Sequence, residues 1–179
     1  MTIHTNDPMN KESAREIFNI MSMYAKLRDD PEAKVKDLIR SSKIFLIISI
    51  VGIGVMGLFI LLKGFDVPNI VMLSIWGMLF LLLLTFNITA NKRVNELVTN
   101  FSGFESDIIL DNGGIEIQSE LQNVRIKWKN TASVRTFEHI VCVFSNDASG
   151  LSIIAPVKYK DEIYGFIKDN KIKVKVVDN

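Results

Sequence analysis

Residues 44–62 read IFLIISIVGIGVMGLFILL, nineteen consecutive positions without a charged side chain. Residues 70–86, IVMLSIWGMLFLLLLTF, form a second uncharged run of seventeen. A helix needs about 20 apolar residues to cross a hydrocarbon core about 30 Å thick, so both runs are long enough to span a bilayer. We therefore predict a membrane protein with transmembrane helices at 44–63 and 70–90, joined by a short external loop at 64–69.

The charges that flank the two runs predict the orientation of this helical hairpin. The connecting loop carries only Lys63 and Asp66, whereas six basic residues lie just outside the runs: Lys34, Lys36, Arg40, Lys43, Lys92 and Arg93. Basic residues stay on the cytoplasmic side of a membrane. We therefore predict a multi-pass membrane protein with both termini in the cytoplasm.

The charge outside the hairpin is nearly balanced. Residues 1–43 carry eight Lys or Arg against seven Asp or Glu, and residues 101–179 carry ten against eleven. A nucleic-acid-binding domain presents a strongly basic surface, so we predict no nucleic-acid partner. The single cysteine, Cys142, excludes a disulfide within one chain and is predicted to be a buried, inert thiol.

The segment 1–43 is predicted to be cytosolic and helical. Residues 1–6 have the pattern of a frayed end, and Asp7 followed by Pro8 has the pattern of a helix start. Apolar residues then recur at helical spacing as far as about Leu27, which predicts an amphipathic helix.

The apolar face of this amphipathic helix needs a cover. Three candidates for this cover remain open: the chain's own domain, the bilayer surface or a partner protein. A second helix is predicted to begin at Asp30 and Pro31 and to continue into the first span.

The pattern changes period after the second run. A helical stalk is predicted over 91–104, and short alternating runs with turn signals predict strands beyond it. The sequence Asp111-Asn-Gly-Gly114 is a strong hairpin signal, and residues 160–168 have the spacing of a short helix. We therefore predict an α+β chain whose last part, 105–179, is a small antiparallel β-sheet or barrel capped by a helix.

Four pieces of this last part resemble the YcxB-like family of bacterial membrane proteins. They are the Gly114-Ile-Glu-Ile strand, Ile126-Lys-Trp128 followed by Val134, the apolar strand 140–144, and Ile153-Ile-Ala-Pro156 ahead of Tyr159. The family also has two spans upstream, so the resemblance covers roughly residues 40–168. It implies the bacterial inner membrane as the location and a pleckstrin-homology-like domain, a bent sheet closed by a C-terminal helix. The family has no defined biochemical activity. The basic pair that usually follows the proline is reduced here to Lys158.

The first apolar run contains Gly52-Ile-Gly54-Val-Met-Gly57, which has the spacing of a dinucleotide fingerprint. That fingerprint requires a preceding strand and an acidic residue about 20 positions downstream, and this run offers neither. Small residues in membrane helices allow close helix packing. We predict such packing, within the hairpin or between two copies, at Ser49, Gly52, Gly57, Ser74 and Gly77.

Three basic residues alternate along one predicted strand: Arg125, Lys127 and Lys129. They form either a solvated face or a surface that faces anionic lipid or a partner. A basic residue near an anionic leaflet adds about 1 kcal/mol of attraction. The side chain of Trp128 points the other way in that strand and is predicted to be part of the core.

No pattern in the chain indicates catalysis. Neither uncharged run, 44–62 or 70–86, contains an ionisable residue that would mark an ion pathway, and His4 and His139 lack companion ligands at metal-binding spacing. We predict a membrane-anchored, non-enzymatic binding or regulatory module without cofactor or metal, whose partner is a protein or a second copy. Two alternatives remain open: a self-assembling membrane effector or immunity-type factor, and a domain that binds lipid head groups.

Overall fold

The computed structural model of the protein describes residues 1–6, 8–30, 32–101, 106–119, 123–147 and 152–178. The helices are α1 (Lys11–Ser22), α2 (Tyr24–Asp29), α3 (Leu38–Lys63), α4 (Val67–Phe101) and α5 (Lys160–Asp169). The strands are β1 (Thr2–Thr5), β2 (Ser106–Asp111), β3 (Gly114–Ser119), β4 (Asn123–Lys127), β5 (Thr131–Thr136), β6 (Ile140–Ser145), β7 (Ser152–Pro156) and β8 (Val176–Asp178). The chain divides into two compact units: Met1–Lys36 with Val94–Asn179, and Asp37–Arg93.

Helices α3 and α4 contain the two apolar runs. Both are long and apolar enough to cross a membrane, with mean hydropathies of 2.9 and 2.2. The Asp37 carboxylate caps α3 by accepting the backbone N–H of Arg40 at 3.0 Å, so α3 begins after this residue and the predicted start near Asp30 is wrong. Gly64 ends α3 at a φ of 88°, a left-handed conformation that glycine adopts at little cost. Helix α4 continues past the second apolar run, so span and stalk form one helix.

Two four-stranded sheets make up the β part of the chain, in the orders β1-β2-β3-β4 and β7-β6-β5-β8. All pairs are antiparallel except β5 with β8, which is parallel. The hairpin predicted at Asp111 is confirmed: its carboxylate accepts the backbone N–H groups of Gly113 and Gly114 at 2.7 and 2.9 Å. The α+β class with an antiparallel sheet is therefore confirmed, but the described strands form two open sheets and not a closed barrel.

The N-terminal residues form an edge strand, so the prediction of a frayed end is wrong. Strand β1 pairs with β2, with Ile3 opposite Ile108 and Thr5 opposite Ser106, 101 residues further along the chain. The side chain of Ile3 is buried in the core. A four-residue strand has almost no local pattern, and here its conformation is decided by the sheet edge that it joins.

The N-terminal helix also starts later than predicted. Its N-cap is Asn10, whose side-chain oxygen accepts the backbone N–H of Ser13 at 2.7 Å. Pro8 therefore lies outside the helix, and the proposed cap Asp7 and the later Pro31 lie outside the described residues. The single amphipathic helix predicted to about Leu27 is divided at Met23 into α1 and α2.

A first hydrophobic core lies between the two sheets, and α5 contributes to it. Strands of both sheets supply buried side chains, and Ile163 and Ile167 of α5 complete the cluster. The short helix predicted at 160–168 is therefore confirmed, and its apolar side faces this core. The largest fully buried aliphatic side chains here are Ile108, Leu110, Ile115, Ile153, Ile163 and Val134.

A second core lies on the other face of the β7-β6-β5-β8 sheet and is closed by the N-terminal helices. Ile17, Ile20 and Leu27 pack there against Phe137, Ile140, Cys142 and Phe144. The cover of the amphipathic helix is thus the chain's own domain. Strand β6 is buried along all six residues because one core lies on each of its faces, which explains its continuous apolar run.

Arg135 fastens the chain between α2 and α3 to strand β5. Its side chain is fully buried, and its guanidinium donates to the backbone carbonyls of Leu27 at 2.7 Å, Asp30 at 3.2 Å and Ala33 at 2.7 Å. Burial lowers the pKa of Arg135, but an arginine in a protein remains charged. The guanidinium also lies 5.5 Å from the centre of the Phe137 ring. A single cation therefore binds one carbonyl of the last turn of α2 and two carbonyls of the irregular segment that follows it.

We expect Arg135→Met to lower the free energy of unfolding by about 3–5 kcal/mol. The methionine fills a similar volume but removes the donor of the Leu27 and Ala33 carbonyls, and each carbonyl left unsatisfied costs about 1–3 kcal/mol, whereas the Asp30 carbonyl keeps the N–H of Ala33. The measurement is thermal unfolding of the full chain in a neutral detergent. Arg125→Met is the control, because Arg125 is an exposed arginine whose ion pairs contribute little to stability. An Arg135→Met variant as stable as this control would contradict the stabilising role of Arg135.

Candidate functional site

The structure separates the three basic residues that alternate in the sequence. Arg125 and Lys127 lie in β4, the edge strand of the first sheet, whereas Lys129 lies in a 3₁₀ turn, Trp128–Asn130, that follows it. All three side chains are exposed. Trp128 is 7% exposed and belongs to the first core, as predicted, and its indole N–H donates to the carbonyl of Asp111 at 2.7 Å.

Arg125 is neutralised by two carboxylates. Its Nη2 lies 2.5 Å from Oδ2 of Asp111 and its Nη1 lies 3.0 Å from Oε2 of Glu116. These contacts raise the pKa of Arg125, and hydrogen bonds from Gly113 and Arg125 hold the pKa of Asp111 below its usual range. With two negative charges beside one positive charge, this part of β4 offers little attraction to an anion. Arg125 instead links β4 to the β2–β3 hairpin.

Lys129 lies at a cleft that the sequence pattern did not reveal. The cleft has a volume of about 330 Å³ and is lined by residues from three separate parts of the chain: Asn112, Trp128, Lys129, Asn170, Lys171, Ile172 and Lys173. Its lining contains three lysines and no acidic residue. None of these lysines forms an ion pair with another residue in the described part of the chain. Alternation within one strand cannot find such a site, because two of its lysines follow α5.

The small residues of the apolar helices fall into two groups. A Cβ atom on Gly52 would lie 2.6 Å from Cδ2 of Trp76, so the indole ring packs directly against the α3 backbone. Ser49 is fully buried in the same unit. A Cβ atom on Gly57 or Gly77 would meet nothing within 4 Å.

Ser74 completes the set of predicted packing residues. It is exposed, and its hydroxyl donates to the carbonyl of Ile70 at 2.8 Å within α4. The hairpin itself therefore uses Gly52 and Ser49, and it leaves the faces at Gly57, Ser74 and Gly77 open.

The surroundings of Cys142 and Glu16 indicate structural roles for these two side chains. Burial raises the pKa of the Cys142 thiol to about 12, so this thiol is protonated near neutral pH and is a poor nucleophile. Burial also raises the pKa of Glu16, whose carboxylate accepts the backbone N–H groups of Glu138 and His139 at 2.9 and 2.8 Å. Glu16 thereby fastens α1 to the connection between β5 and β6. Among the described residues no three potential ligands come together as a metal site.

We expect Gly52→Leu to weaken the helical hairpin by about 1–3 kcal/mol, because the new side chain displaces the Trp76 ring. Gly54→Leu is the matched control, since it gives the same gain in helix propensity at a position where a Cβ atom meets nothing within 4 Å. Unfolding of the full chain by increasing SDS in mixed micelles measures the difference. Equal unfolding midpoints for the two variants would show that the packing of Trp76 does not require a glycine at position 52.

The whole chain was compared with protein-family models, curated proteins and solved structures, and none of the three comparisons gave a match. The resemblance to the YcxB-like family therefore depends on the quoted residues alone. Function has to be inferred from the two apolar helices, the two-sheet domain and the charged surfaces of the chain itself.

Proposed function

We propose that the protein is a multi-pass protein of the bacterial inner membrane whose helical hairpin anchors a cytoplasmic, non-enzymatic binding or regulatory domain. The observation that carries this proposal is the exposure of α3 and α4. In the most apolar 18-residue stretch of each helix, 11% of the residues of α3 and 0% of those of α4 are buried. Leu61 and Leu62 are 84% and 77% exposed. A core helix of a soluble protein buries such side chains, whereas a bilayer surrounds them with hydrocarbon.

The pairing of β1 with β2 supports placing both ends of the hairpin on one side of the membrane. Strand β1 precedes the hairpin and β2 follows it, yet they are neighbours in one sheet. A folded sheet does not extend through a bilayer, because its edge groups would lack hydrogen-bond partners there. The basic flanks of the two runs support the cytoplasm as that side.

The two-sheet architecture supports a pleckstrin-homology-like domain. The strands from β2 to β7 form successive antiparallel pairs in two sheets, and α5 packs on the core between them. This arrangement agrees with the resemblance to the YcxB-like family, in which such a domain follows two spans. Strands β1 and β8 extend the two sheets at their edges.

Anchoring in a membrane favours binding to a partner in the same membrane. Confinement to the membrane surface raises the effective concentration of the domain for a partner held in the same membrane. We therefore propose a membrane-associated protein, or a second copy of this chain, as the partner. The proposal requires no cofactor and no nucleic acid.

We expect a stoichiometric partner or a discrete homo-oligomer when the tagged chain is extracted gently from its own host and weighed intact in lipid nanodiscs. A two-span protein with the same tag, extracted in parallel, controls for chance association. A bare monomer in repeated extractions would contradict the binding role.

We expect cysteine labelling with a membrane-impermeant maleimide to place the two flanks of the hairpin on the same side of the membrane. Glu12→Cys and Glu162→Cys react in inverted vesicles only, and Asp66→Cys reacts in intact cells only. The unmodified chain is the control, since its one thiol, Cys142, is fully buried. Labelling of the first two variants on opposite sides would contradict the topology.

A further inference from the structure

We propose that the cleft at Lys129, Lys171 and Lys173 binds a phosphate-bearing ligand. The volume of about 330 Å³ lies at the lower end of the range for small-molecule sites, which is about 300–1,000 Å³. A phosphate group with a small substituent fits such a space. This site goes beyond the proposed anchoring and partner-binding role and does not depend on it.

The chemistry of the lining selects for an anion. Three ammonium groups supply positive charge and up to three N–H donors each, and the side-chain amides of Asn112 and Asn170 line the same space. Phosphate oxygens accept charge-assisted hydrogen bonds from such groups, which are about twice as strong as neutral ones. The nearby carboxylates of Asp111 and Glu116 are already paired with Arg125 and are absent from the lining. A bound anion would therefore offset three positive charges that have no ion-pair partner among the described residues.

The end of α5 places Lys171 in an unusual backbone conformation. The N–H of Lys171 donates to the carbonyl of Lys168 at 3.1 Å, and the N–H of Ile172 donates to that of Ile167 at 3.0 Å. This is the hydrogen-bond pattern of a Schellman motif, whose left-handed position is usually a glycine. Lys171 occupies it at a φ of 53° and is the one non-glycine residue with a positive φ in the described ranges. A lysine there costs about 1–2 kcal/mol of backbone energy, and its side chain lines the cleft.

The segment after α5 alternates, and this provides a matched control. Ile172 and Val174 pack against the first core, whereas Lys171, Lys173 and Lys175 are exposed. The first two of these lysines line the cleft and Lys175 does not. Lys175 thus has the same charge and the same exposed setting, two residues away from the site.

A purely structural role for these lysines makes a different prediction from a binding role. Basic residues beyond a helix C-terminus interact favourably with the helix dipole, so their removal alone would destabilise the protein. Lys171→Gly separates the two roles, because glycine relieves the left-handed backbone while it removes the charge. Relief of the left-handed backbone favours the folded state under either role, and only a binding role predicts, in addition, a loss of affinity for phosphate.

The test uses the full chain in a neutral detergent, with Trp76→Phe as background so that Trp128 is the sole indole. Because Trp128 lines the cleft, its fluorescence reports binding when sodium pyrophosphate is added at constant ionic strength. We expect a saturable change. Lys171→Gly, Lys173→Ala and Lys129→Ala should each weaken binding about fivefold, the equivalent of about 1 kcal/mol per lysine. Lys175→Ala should bind like the background protein.

A second arm identifies the source of the phosphate. The same proteins are reconstituted in vesicles of phosphatidylcholine, with or without phosphatidylglycerol, and Trp128 emission is compared. A change that needs phosphatidylglycerol and disappears in Lys171→Gly supports the cleft and assigns it to lipid head groups. A response to pyrophosphate alone supports the cleft and assigns it to a soluble phosphate compound. The proposal is overturned if neither arm responds, or if Lys175→Ala loses as much affinity as the three cleft variants.

Discussion

A buried guanidinium holds together two parts of the chain that the helical hairpin separates in sequence. Arg135 belongs to β5, after the hairpin, and all three of its backbone acceptors precede the hairpin. Two further features connect the same two parts of the chain. Strand β1 pairs with β2, and α1 and α2 pack on the second core. One compact unit is therefore built from both flanks of the hairpin, and the hairpin is an insertion in the sequence of that unit.

Features with a local cause could be predicted from the sequence. The two apolar runs, the turn at Asp111 and the helix at 160–168 each depend on residues within a few positions of one another. Strand β1 and the burial of Arg135 could not be predicted in this way, because each depends on partners far along the chain. The start of α3 has a local cause, the Asp37 cap, but the pair Asp30-Pro31 offers a competing start signal in the sequence. An arginine in the sequence Ser133-Val-Arg-Thr136 gives no sign that it will be buried, since its three acceptors are carbonyls that any residue possesses.

The basic surface of the domain also could not be predicted from local spacing. Regular alternation of Arg125, Lys127 and Lys129 predicted one basic face, but two carboxylates from the adjoining hairpin neutralise the first, and a 3₁₀ turn redirects the third. The lysines that do share a cleft with Lys129 lie more than forty residues away, after α5. Spacing within a strand defines a face only while the strand continues and its neighbours carry no opposite charge.

The interrupted first unit also fixes an order of events during synthesis. Strand β1 leaves the ribosome first, but its partner β2 follows 101 residues later, after both apolar helices. At about 5–20 residues per second, this is a delay of several seconds. Under the proposed anchoring, the hairpin is available to the insertion machinery while α1 and α2 still lack the residues on which they pack, Phe137, Ile140, Cys142 and Phe144. The domain can complete its folding only after both apolar helices have been synthesised.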